Sequence, residues 1–232
     1  MKPTISKISM IVGALALALT ASTNVALAQG AYPPAKLLAA QWWQWALAEP
    51  APENPLLDTT GQFAAVNQRG RVWFLAGNSG GTTVRTITVP AGRALFFPIV
   101  NTFDVEDGIS PSLAMSSPGG VIVFIVPHPV QTAQEIVSSI IATATGLSCE
   151  VDGIPLPITS ANLEQSTPFS VFLPDNNIVG VPPGVYFPFV DSGYYVLLHP
   201  LSSGQHTIHF AGSLTSFKPP FSLDVTYNIT VQ

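Results

Sequence analysis

The strongest constraint in this chain is an alternation near its end. In Ser222-Leu223-Asp224-Val225-Thr226-Tyr227-Asn228-Ile229-Thr230-Val231, Leu, Val, Tyr, Ile and Val occupy every second position and polar residues fill the gaps. A period of two is that of a β-strand, whose successive side chains point to opposite faces. One face of this strand is therefore buried and the other wet. Similar short runs, separated by Gly, Pro, Asn and Ser, are expected at 71–76, 82–89, 94–100, 121–126, 147–151, 168–173, 194–199 and 206–211. Many short strands with frequent turn signals predict a mainly β fold, a β-sandwich of jelly-roll or Ig-like type. Arg71–Ala76 and Thr82–Val89 flank Gly77-Asn78-Ser79-Gly80-Gly81 and read as a hairpin. Residues 101–118 read as a surface loop and 174–193 as a Pro/Gly/Asn-rich excursion.

Two segments carry a helical period instead. Ala35–Leu47 places Leu38, Trp42 and Trp45 at i, i+4 and i+7, and Pro50 and Pro52 stop it. Trp43 points off that stripe and needs cover of its own. A second, inserted helix is expected at about 132–145. Thr132 and Glu135 have capping-box spacing at its start, and Gly146 is a natural cap at its end.

The N-terminus reads as a signal peptide, residues 1–28. Lys2 and Lys7 precede a short apolar run, Ile11–Leu19, and Ala26 and Ala28 sit at −3 and −1 of a cut after Ala28. The run is too short to span a bilayer comfortably, and no other segment is long and apolar enough. Residues 29–232 then form a single domain, exported to the periplasm or outside a bacterial cell. Cleavage leaves 6 of the 8 Lys and Arg residues against 13 acids, a formal charge of 6 − 13 = −7. Such a chain is a poor partner for nucleic acid or anionic membrane surfaces. Cys149 is the single cysteine. No intramolecular disulfide can form, so stability must come from a packed core, and a buried inert thiol is expected.

Several residue groups invite a chemical reading. Gly77-Asn78-Ser79-Gly80-Gly81 resembles the surroundings of a serine nucleophile, but all four histidines lie downstream, and a glycine-rich turn explains it equally. Asp104, Glu106 and Asp107 put three carboxylates in four residues and suit Ca²⁺, or are simply a solvated acidic loop. If Ser202-Ser203 forms a two-residue turn between strands, His199 faces His206 and the pair suits Zn²⁺ or Cu²⁺; the alternative is a structural histidine pair. No cofactor is otherwise implied. Arg69, Arg71, Arg85 and Arg93 offer an anion pocket or structural pairing with acids. Trp42, Trp43 and Trp45 offer a carbohydrate platform or a clamp of helix on sheet. As ligand-binding candidates these groups reduce to Trp42, Trp43, Arg85 and Arg93.

Four motifs carry a resemblance. Asn54-Pro55-Leu56-Leu57-Asp58-Thr59-Thr60-Gly61, Val72-Trp73-Phe74-Leu75-Ala76-Gly77, the run Val89-Pro90-Ala91-Gly92-Arg93-Ala94-Leu95-Phe96-Phe97-Pro98, and the stretch from Asp191 to Ile208 follow in order. The chain resembles, over nearly all of residues 29–232, an uncharacterised family of exported bacterial proteins. The resemblance implies one domain and no particular activity. It also implies cysteines near 63 and 87 in relatives, where this chain has Phe63 and Ile87. Low charge, many aromatics and no complete catalytic set favour a non-catalytic domain that binds an extracellular ligand or protein. The alternatives are a structural or envelope-matrix protein and a metal-dependent hydrolase using His199 and His206.

Overall fold

In the computed structural model, which describes residues 32–105, 113–116, 122–125 and 129–232, the first element is helix α1, Ala35–Leu47. No side chain caps its start; the amides of Leu37 and Leu38 turn back to the Pro34 carbonyl. Its C-terminal end is closed by Asn54, whose Nδ2 donates to the Ala46 and Glu49 carbonyls (2.8 and 2.9 Å). Trp42, Trp43 and Trp45 are all buried. Trp42 Nε1 donates to the Leu75 carbonyl and Trp45 Nε1 to that of Val66, which ties the helix to chain distant in sequence. The indoles clamp rather than form an exposed platform.

The strands are β1 Val72–Phe74, β2 Gly81–Val89, β3 Ala94–Val105, β4 Leu113–Ser116 and β5 Ile122–Ile125. After helix α2, Val130–Ile141, come β6 Ala144–Val151, β7 Ile154–Pro155, β8 Leu163–Gln165 and β9 Phe169–Leu173. The long strands β10 Gly184–Leu198, β11 Gly204–Leu214 and β12 Phe221–Val231 complete the set. One five-stranded sheet runs β1-β3-β10-β8, with β9 also paired to β10; a second runs β2-β12-β11-β6-β7. Among the described residues the fold is mainly β, with two five-stranded sheets, the two-stranded β4-β5 and two α-helices. No described helix is long and apolar enough to cross a membrane.

The alternation in β12 is realised: Leu223, Val225, Tyr227, Ile229 and Val231 are buried. The apolar run of β3 has a different cause. Phe96, Phe103 and Val105 join one buried cluster with Trp42, Trp43, Phe189 and Tyr195. Leu95, Phe97 and Ile99 join another with Ile87, Phe210, Val225 and Ile229 of the second sheet. Both faces of β3 are covered, so no polar alternation is required of it.

Four expectations are corrected. Residues 71–89 are not a hairpin: β1 pairs in parallel with Ala94–Phe96 of β3, whereas β2 pairs in parallel with β12 in the other sheet. Gly80 and Gly81 take positive φ (110° and 78°), and Asn78 Oδ1 accepts from Gly80 N, so the glycine-rich turn carries the chain between sheets. Helix α2 starts after Pro129 without a side-chain cap, and the Thr132–Glu135 capping box is not formed. It ends at Ile141, and Gly146 (φ 63°) lies inside β6. The loop expected at 101–118 begins as strand, because β3 runs to Val105, and Leu113–Ser116 pairs with Ile122–Ile125. The excursion expected at 174–193 ends early, since Gly184–Gly193 is already β10, paired with β9 and β3. In the first and last cases a partner distant in sequence overrode a locally turn-rich composition.

Candidate functional site

The loop after α1 is built by its own side chains. Asp58 Oδ1 accepts from the Thr60 and Gly61 amides and the Thr60 hydroxyl, and Oδ2 from the Phe63 amide. Burial alone would raise its pKa, but the Phe63, Thr60 and Gly61 amides outweigh it and hold the carboxyl below its usual range. Gly61 is required here: with φ 98°, a Cβ would stand 2.7 Å from the Thr86 carbonyl. Arg85 locks this loop to the sheets. It lies on the buried face of β2 with Thr83, Ile87 and Val89. Its guanidinium donates to the carbonyls of Asp58, Ala76 and Gly77 and to the Tyr227 hydroxyl, at 2.7–2.9 Å. Arg85 therefore offers nothing to an external anion, and its partner is the Asp58 carbonyl rather than the carboxylate. Arg93 Nη1 donates to the Gly70 carbonyl, and Arg71 stacks over Tyr32 at 5.3 Å. These contacts give Arg71, Arg85 and Arg93 separate structural roles rather than one pocket, and Arg69 is exposed.

A cleft opens beside this loop. β1 covers β3 only from Ala94 to Phe96. Further along β3, Pro98, Asn101, Thr102 and Phe103 line the cleft instead. Trp43 and Leu56 stand at one side, Gly77 and Asn78 follow β1, and Leu214, Phe221 and Leu223 of the second sheet close it with Phe217 of the β11–β12 connection. Its enclosed volume is about 70 Å³, continuous with an open mouth. No described lining side chain is ionisable.

Behind Asn101 lies a buried polar chain. Asn101 Nδ2 donates to the Tyr195 hydroxyl at 3.1 Å, and that hydroxyl donates to Asp191 Oδ2 at 2.5 Å. The strand register explains the meeting: Asn101 is opposite Gly193 and Phe103 opposite Asp191, so positions 191, 193 and 195 share a face with 101 and 103. Gly193 makes it possible, since a Cβ there would sit 2.6 Å from Asn101 Cβ and 2.9 Å from Tyr195 Cε2. Asp191 has no exposed surface. Burial pushes its pKa up to about 7, against the opposing pull of Tyr195, Ser166 and Trp43. Tyr195 is raised well above its ordinary value by burial first and by the Asp191 charge second. Trp43 Nε1 and Asp191 Oδ1 remain without a hydrogen-bond partner. The indole is close enough to favour the ionised carboxyl but does not meet hydrogen-bond geometry.

The histidines do not form the expected pair. β10 and β11 belong to different sheets, so Ser202-Ser203 joins sheets rather than closing a hairpin. His206 is opposite Ile229 of β12, and His199 packs edge-on against Tyr32 at 5.8 Å. No group of three His, Cys, Asp or Glu side chains able to hold a metal occurs among the described residues. Asp104 is buried, with Oδ1 accepting from the Val105 amide; Glu106 and Asp107 lie outside the described residues, as does the signal segment.

His206 has other company that the sequence reading missed. Nδ1 is 2.8 Å from Asp152 Oδ2, and Nε2 is 3.0 Å from the Ser202 carbonyl and 3.3 Å from Ser202 Oγ. Asp, His and Ser are the residue types of a hydrolytic triad. The carbonyl contact decides against that role. A carbonyl only accepts, so Nε2 must carry a proton, and Nδ1 gives its own to Asp152. No lone pair is left to take a proton from Ser202. The Asp152 hydrogen bond accordingly raises the His206 pKa, and the same bond lowers that of Asp152. This is a clamp on the turn. Cys149 is buried and free, its thiol pushed up to about 12 by burial and the neighbouring Glu150 charge, which makes it inert. Among the described residues no hydrogen bond joins Ser79 to a histidine.

Trp43, a ligand candidate on sequence grounds, lines the cleft, and the sequence carried no sign of the cleft itself. Asn101, Asp191 and Tyr195 escaped notice as a set. The available signal was an acid two and four residues from Gly193 and Tyr195 on one strand face. Comparison with protein-family models, curated proteins and solved structures gave no match.

Proposed function

We propose that this protein is an exported bacterial β-sandwich domain that binds a small apolar ligand, without catalysis, in the cleft beside Trp43. The observation that carries the reading is the lining. Trp43, Phe103, Phe217 and Phe221 supply aromatic surface, and no described lining side chain is charged. Transfer of an apolar ring into such a site is favourable, whereas a charged ligand would lose its water without compensation. The sandwich assignment is supported by the core cluster drawn from both sheets. Export, and membership of the exported bacterial family, rest on the sequence of residues 1–28 and on the four motifs. Mature protein is titrated with neutral ring compounds by calorimetry. Saturable one-site binding, weakened at least tenfold in Phe217→Asp, is expected. Silence across the panel ends the reading. Sequencing of the periplasmic form should begin at Gln29; a form retaining Met1 would end the export assignment.

One observation favours a second reading, that of an assembling structural protein. Val185 and Phe172 are cross-strand partners, and with Phe187 they are 71%, 55% and 59% exposed. Isolated apolar residues on a surface are ordinary, but three neighbours on one ribbon are a candidate contact. Light scattering at high concentration separates the readings: a monomer removes the second.

A further inference from the structure

We propose that the ligand of this cleft is a neutral ring compound carrying a hydroxyl or N–H donor, which it gives to Asn101 Oδ1. The inference rests on the cleft-binding reading and names the ligand class. It follows from the direction of the buried hydrogen-bond chain. An ionised carboxylate only accepts, so across the 2.5 Å contact with Asp191 Oδ2 the Tyr195 hydroxyl must donate. A phenol has one hydrogen. Its oxygen is then left to accept, and Asn101 Nδ2 supplies the donor at 3.1 Å. The amide is thereby oriented, with nitrogen turned to the interior and Oδ1 without a donor among the described residues. Gly193 removes the side chain that would block this arrangement.

The second amide of the cleft points the same way. Asn78 Nδ2 spends its hydrogens on the Gly81 carbonyl and Thr83 Oγ1, at 3.0 and 2.9 Å, and Oδ1 already accepts from Gly80 N. Its remaining capacity is an oxygen lone pair, whereas Asn101 keeps one Nδ2 hydrogen beside its Oδ1. The Thr102 hydroxyl can donate or accept and sets no preference. The cleft is therefore aromatic in its walls and uncharged, with two amide oxygens holding lone-pair capacity against one amide hydrogen left over.

The test uses naphthalen-2-ylmethanol and its methyl ether, two neutral rings that differ in one donor. Equilibrium dialysis of the mature protein is run at pH 9, where Asp191, pushed up to about 7 by burial, is ionised. Scaled by their octanol–water partition, the alcohol should bind about fivefold tighter than the ether. Equal binding, or tighter binding of the ether, overturns the donor rule while leaving a ligand-binding cleft. No binding of either overturns the cleft reading and the donor rule with it. In Asn101→Leu the ratio should fall within about twofold of unity; a fivefold preference surviving in a folded variant also overturns the proposal. The wild-type pair decides even if that variant fails to fold.

Discussion

Asp191→Asn isolates the cost of a carboxylate sealed inside the protein. Asp191 is fully buried, and its native pKa of about 7 stands against an ordinary value of 3.8. The sign follows from proton linkage. The native state holds this proton more tightly than the unfolded chain, so stability is highest below pH 3.8, falls as pH rises to about 7, and is level above that. The difference of 7 − 3.8, at about 1.36 kcal/mol per unit, makes the loss about 4 kcal/mol. Asparagine cannot ionise, yet its carbonyl oxygen still accepts from Tyr195. Urea denaturation followed by tryptophan emission, on both proteins from pH 4 to pH 8.5, measures the effect. Asp58 and Asp152, which are held low and lose stability on acidification, are common to both proteins and cancel. So does Glu164 of β8, raised by burial, and Tyr195 stays neutral throughout. The variant should gain on the wild type by roughly 4 kcal/mol across the range. A difference flat to within about 0.5 kcal/mol, or one moving the other way, would refute the account of a carboxyl whose desolvation its hydrogen bonds offset only in part.

Three further outcomes are expected. Arg85→Met retains bulk but strips a donor from three carbonyls and Tyr227; the loss should be about 3 kcal/mol or more, a fall in Tm of roughly 6–12 °C by calorimetry. Gly193→Ala forces a Cβ against Asn101 Cβ and the Val100 carbonyl, neither free to move, so about 1–3 kcal/mol should be lost by urea denaturation. His206→Ala should cost under about 1 kcal/mol at pH 5.5, since Asp152 is 43% exposed. Because the native His206 pKa is raised, that contribution is present at acid pH and disappears as pH climbs through it, so wild type and variant should coincide at pH 9.

Elements with a sustained period were legible in advance. The Ala35–Leu47 helix and the β12 alternation agree with the structure because burial of one face is written directly into the order of residues. Cys149 was legible as a buried thiol for a similar reason, an apolar strand around it. The pairings were not. Gly77–Gly81 and Ser202-Ser203 carry turn composition, and a turn does not say whether the chain returns to its own strand or crosses to another sheet. That choice rests on packing between β2 and β12, and between β10 and β3, partners more than 80 residues apart.

The candidate site divides in the same way. The sequence alone determined the materials: a Trp-rich helix, an apolar strand from Ala94, few charges, and an alternating closing strand. Only the tertiary structure decided what they became. It took Arg85 from a possible anion pocket into the core, because the β2 alternation turns that position inward and carbonyls of a distant loop meet it. It separated His199 from His206 by assigning their strands to different sheets. It brought Asn101, Tyr195 and Asp191 into one chain beside Trp43, because strand register sets side-chain neighbours and register is a property of pairs.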